Sequence, residues 1–275
     1  MGILGLGNTL MHGSVPSSFL PSNISNMLVW LRYNVGITSD MDDGGSSKTE
    51  VSSDAGTMVD DDRINQWNDA SGNGRHAQGP RTSGSGNSDG SDDPRWTSSD
   101  NSLDFASNSK WMDFVQVASA NIVIPTETDF SVVMFVKFTD LATNRCLFGH
   151  NANNLLQIKT NKKIQVRIGD NTNSMFEEAS DTLSTGTYYC ITLVRSNGAT
   201  GNINLYVNGG GYSDKDWDAA ENHTDTDVAT ISNIGAHADD TNKLNGFVKS
   251  FIVYQKALDA TDRANLYNYY SDLFD

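Results

Sequence analysis

Acidic and amide residues around one glycine-rich turn have the chemistry of a calcium site. An Asp-x-Ser-Gly-Asn-Gly motif begins at Asp69 and contains Asn73. Carboxylate and amide oxygens are the ligands that Ca²⁺ takes in proteins. Asp104, at the end of a short apolar run, would add a third ligand, so Asp69, Asn73 and Asp104 form the candidate metal set. In the alternative interpretation, Asp69 only accepts hydrogen bonds from the backbone amides of Ser71 and Gly72.

A tryptophan among aspartates is the candidate ligand-binding group. Trp217 lies between Asp216 and Asp218, in a stretch rich in aspartate. An aromatic ring can stack on a sugar ring, while the neighbouring carboxylates accept hydrogen bonds from sugar hydroxyls. The alternative is that Trp217 fills one end of the core, as large aromatic side chains usually do.

Carboxylates at the spacing of a glycosidase pair are absent from the sequence. Retaining glycosidases hold two carboxyl groups about 5–5.5 Å apart on neighbouring positions of the fold. Glu127 is followed by no further glutamate through residues 130–138. Glu177 and Glu178 are adjacent, so in a strand they would face opposite sides. The sequence therefore names no catalytic residue, and we predict that the chain is not an enzyme.

Charge and composition restrict the partners. The formal net charge is -15 at pH 7, and phosphate contacts need clustered lysine and arginine, which argues against nucleic acid. No apolar run approaches the length of a membrane span, so membrane insertion is not expected. Cys146 and Cys190 both lie in apolar runs and are expected to be buried thiols rather than a disulfide.

Dense aromatic and β-branched runs predict an all-β core with long polar connections. Polar stretches at 38–62 and 79–101 predict insertion loops. Segments 102–105 and 111–114 alternate as the two arms of a hairpin. The remaining strands are predicted at 27–33, 130–138, 145–149, 155–159, 163–168, 174–178, 185–194, 202–209, 231–235 and 246–254.

The last strand and the segment after it form the pattern around which the chain is organised. Alternation places one set of side chains on one face of the strand, namely Phe247, Lys249, Phe251 and Val253. It places Val248, Ile252 and Tyr254 on the other face. A helix follows, in which Asp259 caps the first turn and Asp262 lies three residues on. Its apolar stripe has spacings of three and four and consists of Leu266, Tyr269, Tyr270, Leu273 and Phe274.

These motifs carry a resemblance to a known family. The segment from Gly246 through Asp262 resembles the last strand and closing helix of laminin-G/concanavalin-A-like jelly rolls. The Asp69 turn, following a strand that contains Trp30, resembles the opening of such domains in structural proteins of tailed phages, marine and cyanobacterial ones in particular. The resemblance covers about residues 27–274. It implies a two-sheet antiparallel jelly-roll sandwich over residues 27–275 with a short C-terminal helix.

The resemblance also implies a function and a location. It suggests a virion structural protein, a capsid decoration or head-associated protein assembled in the host cytoplasm, with other virion proteins as partners and self-association in the particle. Apolar residues scattered through 1–26 suggest an extended N-terminal arm that docks into a neighbour, or else a disordered tail. The alternative function is a carbohydrate-binding module or tail-associated adhesion protein that recognises host surface glycan, with Ca²⁺ as a cofactor.

Overall fold

The computed structural model describes residues 19–33, 35–39, 60–79, 92–106, 110–114, 121–169, 175–178, 182–196, 202–209, 228–237 and 242–271. A short 3₁₀ turn spans Pro21–Asn23 and precedes the first strand. The strands and the helix are, in chain order, β1 (Met27–Arg32), β2 (Ile37–Ser39), β3 (Ile64–Trp67), β4 (Ala77–Gln78), β5 (Arg95–Thr97), β6 (Ser102–Asp104), β7 (Met112–Asp113), β8 (Ile122–Ile124), β9 (Phe130–Phe138), β10 (Arg145–Asn151), β11 (Asn154–Ile158), β12 (Ile164–Ile168), β13 (Met175–Glu178), β14 (Tyr188–Ser196), β15 (Asn202–Val207), β16 (Ala229–Ile231), β17 (Asn233–Ile234), β18 (Gly246–Tyr254) and α1 (Ala260–Ser271).

These strands form two large antiparallel sheets, which confirms the predicted sandwich. One sheet has seven strands in the order β15-β14-β9-β18-β6-β5, with β1 also paired to β18. The other has nine strands in the order β13-β12-β11-β10-β17-β7-β4-β3-β2. Strands β8 and β16 form a separate two-stranded ribbon.

Aromatic side chains join the two sheets through the core. Phe251 on β18 of the seven-stranded sheet lies 6.0 Å from the Phe114 ring and 5.7 Å from the Phe148 ring, centroid to centroid. Both partners belong to the opposite layer, since Phe148 is on β10 and Phe114 follows β7. All three side chains are buried in one continuous apolar cluster. Burying each stabilises the fold by roughly 1.5–3 kcal/mol.

The helix and the segment before β1 cover part of the outer face of the seven-stranded sheet. Leu266 and Tyr270 of α1 are buried against Ile252 and Tyr254 of β18. The Phe19 ring meets the Tyr269 ring edge-on at 6.2 Å. The helix begins as predicted, because Asp262 N–H donates to Asp259 Oδ1 at 2.8 Å. Leu273 and Phe274 of the predicted stripe lie outside the described residues.

A β-bulge in the last strand makes the predicted assignment of its side chains to two faces wrong in part. The pairing of β18 with β9 shifts between Val248 and Ser250. The extra residue reverses the alternation, so Val248 packs in the inner core with Phe251 while Ile252 lies in the outer layer. Simple period-two counting cannot detect this shift, because an inserted residue moves every later side chain to the other face.

Two other sequence predictions need correction. Segments 102–105 and 111–114 are not a hairpin: β6 pairs with β5 and β18, whereas β7 pairs with β4 and β17 of the other sheet. The predicted loop at 79–101 contains β5, whose Trp96 is buried. A single tryptophan between polar neighbours gave too short an apolar signal to predict a strand.

Two predictions about single side chains are confirmed. Cys146 and Cys190 are buried free thiols, and burial raises the pKa of the Cys190 thiol to about 12. The turn that follows β15 has positive φ at Asn208 and Gly209, as the predicted Asn-Gly turn requires. No helix among the described residues is both long and apolar enough to cross a bilayer.

Candidate functional site

The Asp69 carboxylate organises its turn through hydrogen bonds within the chain. Its Oδ1 accepts from the backbone N–H of Trp30 at 2.9 Å and of Ser71 at 2.9 Å. Its Oδ2 accepts from Ser71 Oγ at 2.8 Å and from the backbone N–H of Arg75 at 3.1 Å. Of the two amides expected as donors, Ser71 bonds to this carboxylate. The four donors join the turn to β1, so this carboxylate already has a structural role.

The predicted calcium ligands do not meet at one point. Asn73 Nδ2 donates to the carbonyl oxygen of Met27 at 2.9 Å, at the start of β1. Asp104 pairs with Phe247 of β18, whereas Leu31, which bridges to Asp69, pairs with Phe251. Phe247 and Phe251 are four residues apart along β18, which is about 13 Å at the rise of a strand. Asp104 and Asp69 are therefore separated by about this distance along the sheet.

A calcium ion takes its oxygen ligands at about 2.3–2.6 Å, so Asp69, Asn73 and Asp104 do not fit one ion. Within the described part of the chain, no group of three or more histidine, cysteine, aspartate or glutamate side chains could hold a metal. Calcium binding by the chain stays a prediction.

The second predicted site, formed by Trp217 with Asp216 and Asp218, lies outside the described residues. It also stays a prediction.

A row of polar side chains crosses the outer face of the nine-stranded sheet. Gln66 pairs with Gln78, Gln78 with Asp113, and Asp113 with Asn233. Residues opposite each other in antiparallel strands share a face, and the neighbours Trp67, Ala77, Met112 and Ile234 fill the inner core. The row therefore faces away from the core, and all four of its side chains are half-buried. We call Gln66, Gln78, Asp113 and Asn233 the amide row.

Hydrogen bonds orient the members of the amide row. Gln78 Nε2 donates to Gln66 Oε1 at 2.7 Å, and Gln66 Nε2 donates to Asn68 Oδ1 at 2.5 Å. Gln78 Oε1 is buried and accepts no hydrogen bond from the described residues.

An aromatic ring lies beside the amide row. Trp111 precedes β7 by one residue and is half-buried, and strand alternation places it on the same face as Asp113. Lys243 Nζ lies 3.7 Å from the centroid of the Trp111 ring. Sugar recognition commonly combines an aromatic surface with amide and carboxylate groups that bond to hydroxyls. This combination is present where the row crosses β7.

The acidic residues of this sheet are far apart. In the strand order, β13, which contains Glu177 and Glu178, is the fifth neighbour of β7, which contains Asp113. Five strand spacings are about 24 Å. Glycosidase carboxyl pairs lie about 5–9.5 Å apart, which is much less than this separation between the two strands.

A small cleft with a cavity volume of about 10 Å³ lies between the sheets at a different place. Its lining is largely apolar, with Phe130, Phe148 and Leu193 among the contributors. Asn154 lies on its wall, where Nδ2 donates to the carbonyl oxygen of Gly169 at 2.7 Å. The cleft therefore offers few groups to a sugar.

Sequence reasoning missed the amide row because its members come from four short strands. Ala77–Gln78 and Met112–Asp113 are two residues each, too short for a period to be visible. A weak signal existed, since each polar residue is adjacent to a buried apolar one. The pairing of these strands could not be inferred without the tertiary structure.

A family model described as the concanavalin A-like lectin/glucanases superfamily matches residues 108–262. This match covers more than half of the 275 residues. The chain belongs to this superfamily. The expected laminin-G/concanavalin-A-like resemblance is thereby confirmed at the level of the superfamily.

Solved structures support the superfamily fold. The binding domain of Paraclostridial Mosquitocidal Protein 1 superposes with a TM-score of 0.51 and 16% identity, over 91% of this chain and 53% of that one. A mutant of Trypanosoma rangeli sialidase displaying trans-sialidase activity superposes with a TM-score of 0.51 and 11% identity, over 95% of this chain and 34% of that one. The chain thus spans about half and a third of these proteins, and the likeness concerns the fold alone. None of the curated proteins matches the chain.

Proposed function

We propose that this superfamily member is a non-catalytic glycan-binding domain and that the amide row is its binding surface. The observation that carries the proposal is the register that brings Gln66, Gln78, Asp113 and Asn233 onto one outer face beside Trp111. Amide groups can donate and accept at once, which suits the paired hydroxyls of a sugar.

The size of the surface favours an oligosaccharide over a single sugar. The amide row crosses four adjacent strands, β3, β4, β7 and β17. Three spacings between adjacent strands amount to about 14 Å. Two of the similar structures are a binding domain and a sialidase, and the matched parts are about half and a third of those chains. The separation between Asp113 and the glutamates of β13 favours binding.

The test measures binding to an array of neutral oligosaccharides, followed by calorimetry on the best ligand. Gln78→Ala and Asp113→Ala are each expected to weaken binding about tenfold, since one lost hydrogen bond to a charged or buried group contributes about 1.4 kcal/mol or more. Gln255→Ala, an exposed residue after β18, is the matched control and should bind normally.

Three outcomes would contradict the proposal. Binding unchanged in both row variants would exclude the amide row. Loss of binding in Trp217→Ala with intact row variants would move the site to residues 216–218. Release of reducing ends from the bound oligosaccharide would show turnover and exclude a purely binding role.

A structural role in a virion is the second candidate. The feature that favours it is the packing of the segment before β1 onto the outer layer of the same chain. The Tyr254 O–H donates to the carbonyl oxygen of Pro21 at 3.0 Å, and Ile24 is buried in the same apolar cluster as Tyr254. Residues 1–18, which lie outside the described residues, would then leave the domain from a fixed point and could dock into a neighbouring subunit.

This second candidate is tested with purified particles of a tailed phage. A chain lacking residues 1–18 should bind the capsid at least tenfold more weakly than the whole chain, while its unfolding midpoint stays the same because the segment 19–26 is retained. Equal capsid binding by the two chains would show that the arm has no such role.

A further inference from the structure

The amide row stops at β10, where the next position on the outer face carries no side chain. Asn233, its last member, pairs with Gly149 of β10, and Gly149 pairs with Leu155 of β11. The neighbouring pair Phe148 and Ile234 fills the inner core, so Gly149 and Leu155 lie on the outer face in line with the row. Both are buried, whereas the four members of the row are half-buried. The outer face is therefore covered at β10 and β11.

The chain that follows β17 contributes to this cover. Gly235 N–H donates to the carbonyl oxygen of Leu147 at 2.8 Å, and Cys146 N–H donates to the carbonyl oxygen of Asn242 at 2.6 Å. The chain thus leaves β10 after Gly235 and returns to it at Asn242. Its described residues there are 235–237 and 242–244, which we call the bordering loop.

His237 brings the bordering loop directly over Gly149. A Cβ atom at Gly149 would lie 3.0 Å from His237 Cβ and 3.1 Å from Leu155 Cβ. Glycine allows this close approach of two chain segments. His237 is only 5% exposed, so it and its backbone form a second layer of chain on the sheet. That layer begins immediately beyond Asn233.

The bordering loop also reaches the aromatic ring beside the row. Lys243 belongs to this loop, and its Nζ lies 3.7 Å from the centroid of the Trp111 ring. This cation–π contact places the ammonium group against one face of the ring. The loop therefore borders the amide row both at its β17 end and beside β7.

We propose that the amide row takes the end of a linear neutral glycan rather than an internal stretch. The terminal sugar lies at Asn233 against the bordering loop, and the glycan runs from there over β7 and β4 towards Gln66. A glycan that continued straight past Asn233 would meet the bordering loop. The amides of the row then bond to hydroxyl groups of successive sugars counted from the terminus. This assignment rests on the glycan binding proposed above for the amide row.

The first measurement is the number of protein copies bound to each glycan chain. Calorimetry on the whole protein uses the disaccharide, the hexasaccharide and the soluble polysaccharide of linear β-glucan, xylan, mannan and galactan. In the series that binds, the stoichiometry should stay at one copy per glycan chain at every length, because a linear chain has a single end of each kind. Binding to internal stretches would raise the number of copies with length, and that result would overturn the assignment.

Two substitutions at opposite ends of the row test the direction of the glycan. Asn233→Ala should weaken binding of the disaccharide and the hexasaccharide alike, about tenfold. Gln66→Ala should weaken only the hexasaccharide, because a disaccharide held against the bordering loop does not reach β3, about 14 Å away. Gln255→Ala is the control and should change neither affinity. The unfolding midpoint of each variant shows whether it is folded.

The outcomes separate end recognition from the proposed function. Absence of binding by every probe would exclude glycan binding and end recognition with it. Binding that Gln78→Ala and Asp113→Ala weaken, with more copies on longer glycans, would keep the amide row as the site and overturn end recognition alone. Equal loss of disaccharide binding in Asn233→Ala and Gln66→Ala would also overturn it.

Discussion

Lys249 is the residue whose environment conflicts most with its own charge. It lies on β18, nearly inaccessible to solvent, where burial lowers its pKa from 10.5 to about 8. Asp100 opposes this shift and Lys137 adds to it. The charged form is therefore less favourable in the folded chain than in the unfolded one, which makes stability depend on pH.

The direction of that dependence follows from proton binding. Between pH 8 and 10.5 the unfolded chain holds the Lys249 proton and the folded chain loses it, so the contribution of Lys249 to the free energy of unfolding rises with pH across this window. The buried thiols of Cys146 and Cys190 act in the opposite direction, because burial raises their pKa above the ordinary value of 9.0 and near that pH only the unfolded chain loses their protons.

Urea unfolding of the whole chain and of Lys249→Met, from pH 7.5 to 9.5, should therefore show that the difference in the free energy of unfolding, whole chain minus variant, rises with pH. The measured range stops at pH 9.5 because burial also raises the pKa of Tyr254 and Tyr270. At higher pH these two tyrosines lower the free energy of unfolding as the pH rises, which is opposite to the contribution of Lys249.

Lys162→Met removes an exposed charge and is the control for this measurement, since it should keep the pH profile of the unmodified chain. Parallel pH profiles for the whole chain and Lys249→Met would contradict the assignment.

At the scale of elements, the contact between α1 and the seven-stranded sheet depends on a buried polar cluster. Trp30 Nε1 donates to the phenolic oxygen, Oη, of Tyr270 at 2.9 Å, and the Tyr270 hydroxyl lies 2.6 Å from Ser250 Oγ. Ser250 Oγ also donates to the carbonyl oxygen of Leu31 at 2.8 Å. The Tyr270 ring stacks on Phe135, with centroids 3.9 Å apart. One hydroxyl therefore links helix, β1 and β18.

Removing that hydroxyl tests the role of this cluster. Tyr270→Phe keeps the ring but leaves the Trp30 N–H buried without an acceptor, so we expect a loss of about 1–3 kcal/mol in the free energy of unfolding. Urea unfolding followed by tryptophan fluorescence measures it. Tyr267→Phe, on the half-buried side of the same helix, is the control and should change stability by less than about 0.5 kcal/mol. Equal effects of the two substitutions would show that the cluster contributes nothing specific.

At the scale of the whole molecule, the sandwich separates two outer faces. One apolar layer joins the sheets, and each sheet has a registered row of side chains on its outer face. The amide row contains three amides and one carboxylate. The row on the seven-stranded sheet contains two cations, one carboxylate and two aromatic rings, namely Arg95, Lys137, Asp104, Phe247 and Tyr188. The two outer faces therefore differ in chemistry.

Local patterns in the sequence determined the strands and their turns. The apolar run at 130–138 forms β9 over the same residues, and Trp67 is fully buried above the Asp69 turn with positive φ at Gly72 and Gly74. The capping pair Asp259 and Asp262 starts the helix as predicted. These features depend on residues close in sequence, so single-chain patterns suffice to predict them.

The tertiary structure alone decided which strands meet and which faces they share. Gln66 and Asn233 join one row although 167 positions separate them, because β3, β4, β7 and β17 are consecutive in the sheet. The bulge at Val248 and the strand around Trp96 likewise depend on long-range partners. Pairing and register follow from how both sheets bury their apolar faces together, and that is a property of the whole fold.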